Sequence, residues 1–308
     1  MTQPFDIEPL IAPVAEGSPC GENLEYDPEY QALELAVGAA EWSEVLTQGL
    51  AVAQRTRDLR VAIFISRAGL HTSGYAGFSA GLELIAQLLE THWEELHPHL
   101  EDLDEGLPPT RLNLLAALGV RDSSSLEDSM LNEIRGAELV QLPGLGKFSY
   151  RDVLIAQGDL SLAEGEEAVE LATIQGALGD ADKAIVQATL DAVTACLAHL
   201  VRITQSFADA LGSAWAPDFQ PLNETLTSVR DFISQHARLA APAGALVEQD
   251  ENTGTQTSGG AAAGPSGPIA SRQDAIRVLG EVSQYFEQHD EAQGKLVPIF
   301  DAVYRRKG

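Results

Sequence analysis

Apolar residues recur along this chain at intervals of three and four, the spacing that lines one face of an α-helix. Leu33 and Val37 mark a first short helix, and Trp42, Val45, Leu46, Leu50 and Ala53 mark a second. The run Leu59–Leu70 is apolar nearly all round (Val61, Ile63, Phe64, Ile65) and predicts a central buried helix. Its charged flanks, Arg55 to Arg60 and Arg67, continue a helical register and argue against a strand. Gly74 punctuates. Phe78, Leu82, Ile85, Leu89 and Trp93 then form a further amphipathic helix that ends before Pro98. After the acidic turn Glu101 to Glu105 and Pro108-Pro109, Thr110 fits the N-cap of a helix lined by Leu112, Leu115 and Leu118.

Beyond residue 120 the pattern is interrupted. Leu139 to Tyr150 carries Pro143, Gly144 and Gly146 and reads as an irregular turn-rich connector. Ser149-Tyr-Arg-Asp152 has capping-box spacing and opens a short helix that stops near Gly158. Asp180 fits the cap of a long helix carrying Val186, Leu190, Val193, Leu197, Leu200, Ile203, Phe207 and Leu211. A stripe of about seven turns at 3.6 residues each suits a helical hairpin or an oligomer seam. Trp215, Pro217 and Asp218 break it, and Leu222, Leu226, Val229 and Ile233 return it. From 241 to 270 the chain is rich in Gly, Ala, Ser and Thr, which reads as a flexible linker. Ser271 caps a last stripe, Ile276, Leu279, Val282 and Phe286. The predicted fold is all-α. An N-terminal multi-helix domain (8–120) is followed by a middle domain with long hairpin helices (121–240). A linker (241–270) leads to a short C-terminal helical module (271–308).

Charge narrows the function classes. The 308 residues hold 19 Lys plus Arg against 46 Asp plus Glu, a net charge of −27. Nucleic acid needs clustered positive charge, and anionic lipid repels this chain, so neither is an expected partner. Two cysteines, Cys20 and Cys196, do not make a disulfide framework and suit a reducing compartment. Met1 to Leu10 lacks the basic start and apolar run of a signal peptide, and no run of about 18 apolar residues predicts a membrane span. The expectation is a cytoplasmic chain without direct membrane insertion.

The stretches that resemble chemistry have bland readings beside them. Gly77-Phe-Ser79-Ala-Gly81 has the letters of a nucleophile elbow, which would make Ser79 a hydrolase serine. That chemistry needs a strand–turn–helix, whereas this serine falls inside a helical stripe, where small residues serve close packing. His92, His97 and His99 cluster, but spacings of five and two across a helix end are not those of a zinc helix. Gly144-Leu-Gly-Lys147 lacks two positions of a phosphate loop. Cys20 has no histidine nearby in sequence to lower its pKa and reads as a packed thiol. Glu164, Glu166, Glu167 and Glu170 suit a solvated helix start or an acidic docking face. No catalytic residue, cofactor or metal is assigned.

Several words along the chain, in order, resemble the N-terminal domain of the ImpA/TssA family of bacterial type VI secretion. They are Ser18-Pro-Cys-Gly-Glu-Asn-Leu-Glu-Tyr-Asp-Pro-Glu-Tyr30, Trp42, Arg57-Asp-Leu-Arg-Val61, Gly74-Tyr-Ala-Gly-Phe78, His92-Trp93, Leu96-His-Pro98 and Arg111-Leu-Asn113. Leu142 to Ser149, Ala216 to Leu222 and Ser271 to Arg277 look like the family's middle and C-terminal regions. Where the family continues with a Glu-Pro-x-Ser-Pro turn, this chain has His289-Asp-Glu-Ala-Gln293, which implies a shortened or altered ring-building part. The resemblance implies a non-enzymatic assembly scaffold that primes and coordinates tube and sheath polymerisation at the baseplate or tail end. Its implied partners are baseplate, sheath, inner-tube and membrane-complex subunits, and it implies a homo-oligomer. On this reading Ser18, Pro19, Cys20, Gly21, Glu22 and Trp42 are candidate partner-binding residues. Val186, Leu190, Val193, Leu197, Leu200, Ile276 and Leu279 are candidates for oligomerisation. The alternatives are a hydrolase using Ser79, or an adaptor unrelated to secretion.

Overall fold

A computed structural model describes residues 4–100, 110–116, 118, 130–163 and 165–237. The expected linker, the C-terminal module with Ile276 and Leu279, and the acidic turn at 101–105 lie outside the described residues. The described residues all fall within one compact unit.

Short helices come first: α1 Glu8–Ile11, α2 Pro28–Gly38 and α3 Trp42–Ala53. Asp27 caps α2, accepting the Glu29 N–H at 2.9 Å just ahead of Pro28, a residue suited to the first helical turn. The centre of the molecule is α4, Leu59–His92, capped by Asp58. It is not one rod. Gly74 sits at φ +62 and ψ −148, a conformation closed to most side chains, and turns the chain back on itself.

The two arms, 59–73 and 75–92, pack backbone to backbone. A Cβ added to Gly77 would lie 2.1 Å from the Gly69 carbonyl oxygen, and one on Gly81 would lie 2.3 Å from the Ser66 Cα. The small residues around Ser79 therefore set the distance between the arms. Leu59, Ile65, Phe78, Leu82, Ile85 and Leu89 are all fully buried there.

The remaining elements are α5 Thr110–Ala116, α6 Met130–Gly136, β1 Glu138–Leu142, β2 Gly146–Ser149, α7 Tyr150–Gln157, α8 Leu171–Asp180, α9 Lys183–Leu211 and α10 Gln220–His236. A single 3-10 turn, Ser213–Trp215, joins α9 to α10, giving the expected hairpin. The all-α expectation holds apart from one feature. The turn-rich connector is a small antiparallel β-hairpin, with Val140 opposite Phe148 and Leu142 opposite Gly146. Gly144 and Gly146 take φ of +84 and +95 in its turn, and Lys147 reaches Glu138 across it at 2.8 Å. Strands of four or five residues carry too little alternation to show in sequence.

One other expectation is corrected. The cap of α9 is Asp182, which accepts the Ala184 N–H at 2.8 Å; Asp180 instead closes α8. Separately, α9 is long and apolar enough, by length and composition, to cross a membrane, although it holds no uninterrupted run of 18 apolar residues. In this fold its stripe faces protein instead. Val186, Val193, Cys196, Leu200, Ile203 and Phe207 are buried, and α4 and α10 pack along it.

Candidate partner-binding site

The stretch Ser18–Tyr30 is a strap laid across the ends of α3 and α4. Four arginines fasten this region: Arg55 and Arg60 hold the strap, Arg57 the segment just before it, and Arg111 the turn after α4. Arg57 is 2 % exposed and faces no carboxylate in its hydrogen bonds. Its Nε donates to Ala12 O at 2.9 Å, and Nη2 donates to Ala12 O at 2.5 Å and Pro9 O at 3.0 Å. Nη1 donates to Thr56 O at 3.1 Å and also to Ala53 O. Burial holds its pKa below the usual arginine value. Arg111 is fully buried and does the same for the turn after α4. It donates to Pro98 O at 2.8 Å, to Trp93 O at 2.6 Å and to Leu96 O, and burial lowers its pKa to about 10.

The other two arginines use carboxylates. Arg55 bridges Asp27 at 2.8 Å and Glu29 at 2.5 Å. Arg60 pairs with Asp58 at 2.7 Å and Glu25 at 3.0 Å, reaches Asn23 Oδ1 at 3.0 Å, and lies over the Tyr30 ring. Gly21 lets the strap through. At φ +68, a Cβ there would meet the Arg55 carbonyl at 2.2 Å. The Arg57 N–H then bonds Cys20 O at 2.7 Å, and Thr56 Oγ1 donates to Glu22 O at 2.8 Å.

The histidines are fasteners too. Nε2 of His92 donates to Ile11 O at 2.7 Å, and Nε2 of His97 donates to Gly21 O at 3.2 Å. A carbonyl can only accept, so each carries its proton on Nε2. His97 stacks edge-on with His99 at 4.6 Å. Burial lowers the His97 pKa, opposed by the Gly21 bond. Among the described residues no group of three or more His, Cys, Asp or Glu is arranged to hold a metal ion.

Of the candidate residues, Ser18 and Glu22 are exposed on the strap, Pro19 and Gly21 are half-buried, and Cys20 is buried. Burial, with Glu95 adding to it, pushes the Cys20 thiol up to about 11, far from a nucleophile. Cys196 is likewise buried and raised to about 12. Ser79 lies within the second arm of α4, in continuous helix beside the Cys196 thiol, so the strand–turn–helix of a nucleophile elbow is missing there. Among the oligomerisation candidates, Val186, Val193 and Leu200 are buried within the chain, and Leu190 and Leu197 are half-buried. In the acidic group, Glu166 pairs with Arg151 at 2.7 Å, Glu170 precedes α8, and Glu164 lies outside the described residues.

Trp42 is half-buried and locked. His71 stacks on it at 4.3 Å and 3°, and the Arg67 guanidinium sits 4.6 Å from its ring. Glu133 on α6 ties both down, accepting from Arg67 Nε at 2.8 Å and lying 3.1 Å from His71 Nε2. Burial alone would raise the Glu133 carboxyl, but these two partners outweigh it and hold the pKa below the ordinary glutamate value. Two exposed apolar residues were missed in sequence: Tyr26 on the strap, 85 % exposed, and Leu35 on α2, 76 % exposed. The signal for Leu35 was its place, two residues from both Leu33 and Val37, off the buried face.

A fold of this kind has known counterparts. Residues 11–119 match the family model described as ImpA, N-terminal, type VI secretion system. That segment is similar to an ImpA N-terminal domain. The strap, both buried arginines, Trp42, His92 and His97 all fall inside that ImpA segment. The chain is also 29% identical to the type VI secretion system component TssA1 of Pseudomonas aeruginosa, over 93% of this chain and 87% of that protein. A solved structure of the N-terminal domain, including the conserved ImpA_N region, of the TssA component from Burkholderia cenocepacia matches with a TM-score of 0.64. It is 24% identical and covers 76% of this chain and 94% of the solved one, a likeness of fold.

Proposed function

We propose that this protein is a non-enzymatic component of a type VI secretion apparatus. It acts as an assembly scaffold at the baseplate or tail end, where it primes and coordinates tube and sheath polymerisation. The observation that carries this is the strap. Arg55, Arg60 and His97 fasten this exposed segment directly, and a held, exposed segment without reactive groups suits presentation to another protein. Preorganisation of this kind lowers the entropy cost of docking. Ser18, Glu22 and Tyr26 form the presented edge, and Cys20 and Gly21 shape it from beneath. Baseplate, sheath, inner-tube and membrane-complex subunits are the proposed partners, and the setting is cytoplasmic. The likeness to TssA1 along most of the chain supports the same reading.

Self-association is proposed to involve residues 271–308. Light scattering on the full chain and on a chain lacking them tests this, with equal mass for both as the contrary result. The secretion role is tested in a strain lacking the gene. Inner-tube protein should disappear from the medium and fluorescent sheath foci should fail to extend. Unchanged secretion and sheath dynamics would reject the role.

A further inference from the structure

Between α2 and α3 runs a shallow groove of about 710 Å³ that the strap does not cover. Its floor is small, Ala32, Ala36 and Ala39. Leu35 forms one wall and Trp42 the other, and Glu41 and Glu44 stand at the rim. No Lys or Arg is among its lining residues. Glu34, beside Leu35 on α2, is exposed as well. Leu35 is a large aliphatic left 76 % exposed, whereas its neighbour Leu33 is fully buried.

We propose that this groove docks a basic amphipathic helix of a partner protein, resting on the assembly-scaffold reading and naming the chemistry of one contact. Helix-in-groove recognition needs an apolar trough with room for side chains spaced three and four apart. The alanine floor supplies the room, and Leu35 and Trp42 supply the walls. Ala32 to Ala39 spans about 12 Å at a 1.5 Å rise per residue, enough to seat about two turns of a guest helix.

Charge selects the guest. With carboxylates on the rim and none of the lining residues cationic, lysine or arginine flanking an apolar stripe is complementary and speeds encounter. A second copy is a poor guest, because a two-fold contact would set Glu41 and Glu44 against their own equivalents in a chain of net charge −27. An anionic membrane is repelled for the same reason. The Trp42 ring is held before the guest arrives, because His71 stacks on it and Arg67 lies over it, and Glu133 ties both of these down.

The test is fluorescence anisotropy of a labelled 18-residue leucine–lysine peptide with three-four spacing, titrated with the full chain. A leucine–glutamate peptide and a scrambled leucine–lysine peptide are the comparisons. Saturable binding is expected for the patterned lysine peptide alone. Leu35→Asp should weaken it at least tenfold although it adds negative charge, and Glu41→Gln with Glu44→Gln should weaken it severalfold and flatten its salt dependence. An unchanged melting temperature confirms that the variants fold. Equal binding by Leu35→Asp, or by the scrambled peptide, would show mere attraction to a polyanion and overturn the groove. Dimerisation of the wild type that Leu35→Asp abolishes would make a second copy the occupant and also overturn it. In cells, loss of secretion on gene deletion but wild-type secretion by Leu35→Asp would sink the groove and leave the scaffold role standing. Normal secretion on deletion would sink the role and leave the peptide titration to judge the groove.

Discussion

Replacing Arg57 with methionine removes the clamp on the segment that leads into the strap, Pro9 to Ala12, while keeping a side chain of similar length. Arg57 donates to the carbonyls of Pro9, Ala12, Ala53 and Thr56. At about 1.5 kcal/mol for each hydrogen bond to a charged group, the gross loss is about 6 kcal/mol. Roughly half is offset, because a desolvated cation with no carboxylate partner no longer has to be buried. The net expectation is about 3 kcal/mol, or a melting temperature lower by about 6–12 °C for a unit of this size. The loss should be local first. Amide exchange at Val14, which follows the clamped segment and bonds Pro19 O at 2.8 Å, should quicken by about 100-fold if that segment opens alone. Arg57→Lys should fall between, since one ammonium cannot span carbonyls set around a planar fork. Thermal unfolding by circular dichroism and hydrogen exchange by mass spectrometry read both effects. A methionine variant within 0.5 kcal/mol of wild type, with unchanged exchange at Val14, would refute the clamp.

Three more outcomes are expected. Gly77→Ala must part the arms of α4 and should cost about 3 kcal/mol, whereas Gly136→Ala, with nothing near its added carbon, should be close to neutral in the same chemical denaturation. Neither thiol should react readily with a disulfide reagent at pH 8 in the folded protein, because burial pushes Cys20 to about 11 and Cys196 to about 12; urea should expose both, and fast native labelling would contradict the burial. Burial lowers the folded pKa of His97 and of His199 below the ordinary 6.5, so the unfolded chain takes up protons first as the medium is acidified. Stability should therefore be flat above pH 6.5 and fall below it, with Glu90 and Glu133, whose pKa values are lowered by arginine partners, adding to the loss below about 4.5. Replacing both histidines by Gln should flatten the first limb, and an unchanged slope in that variant would count against it.

The long helices were legible because three-four spacing survives over many turns, as from Phe78 to Leu89 and from Val186 to Phe207. Gly74 was legible as a break, but the return of one arm on the other was not, since pairing Gly69 with Gly77 depends on the fold rather than on local pattern. The β-hairpin hid behind its own turn residues. Asp180 and Asp182 stand two apart and each can cap, so choosing between them required knowing where α8 ends. The site was less legible. Arg57 and Arg111 were visible as recurrent words, but their acceptors are backbone carbonyls, which leave no residue-type signature. Leu35 was visible only as a leucine on the wrong face.

The central claim is that this protein works through a surface its framework holds ready, and the most direct measurement is secretion by a strain whose only copy carries Glu22→Lys with Tyr26→Ala. Both side chains are exposed. A stable variant with a wild-type melting temperature and no inner-tube protein in the medium is the predicted result. Secretion at the wild-type level from that strain would contradict it.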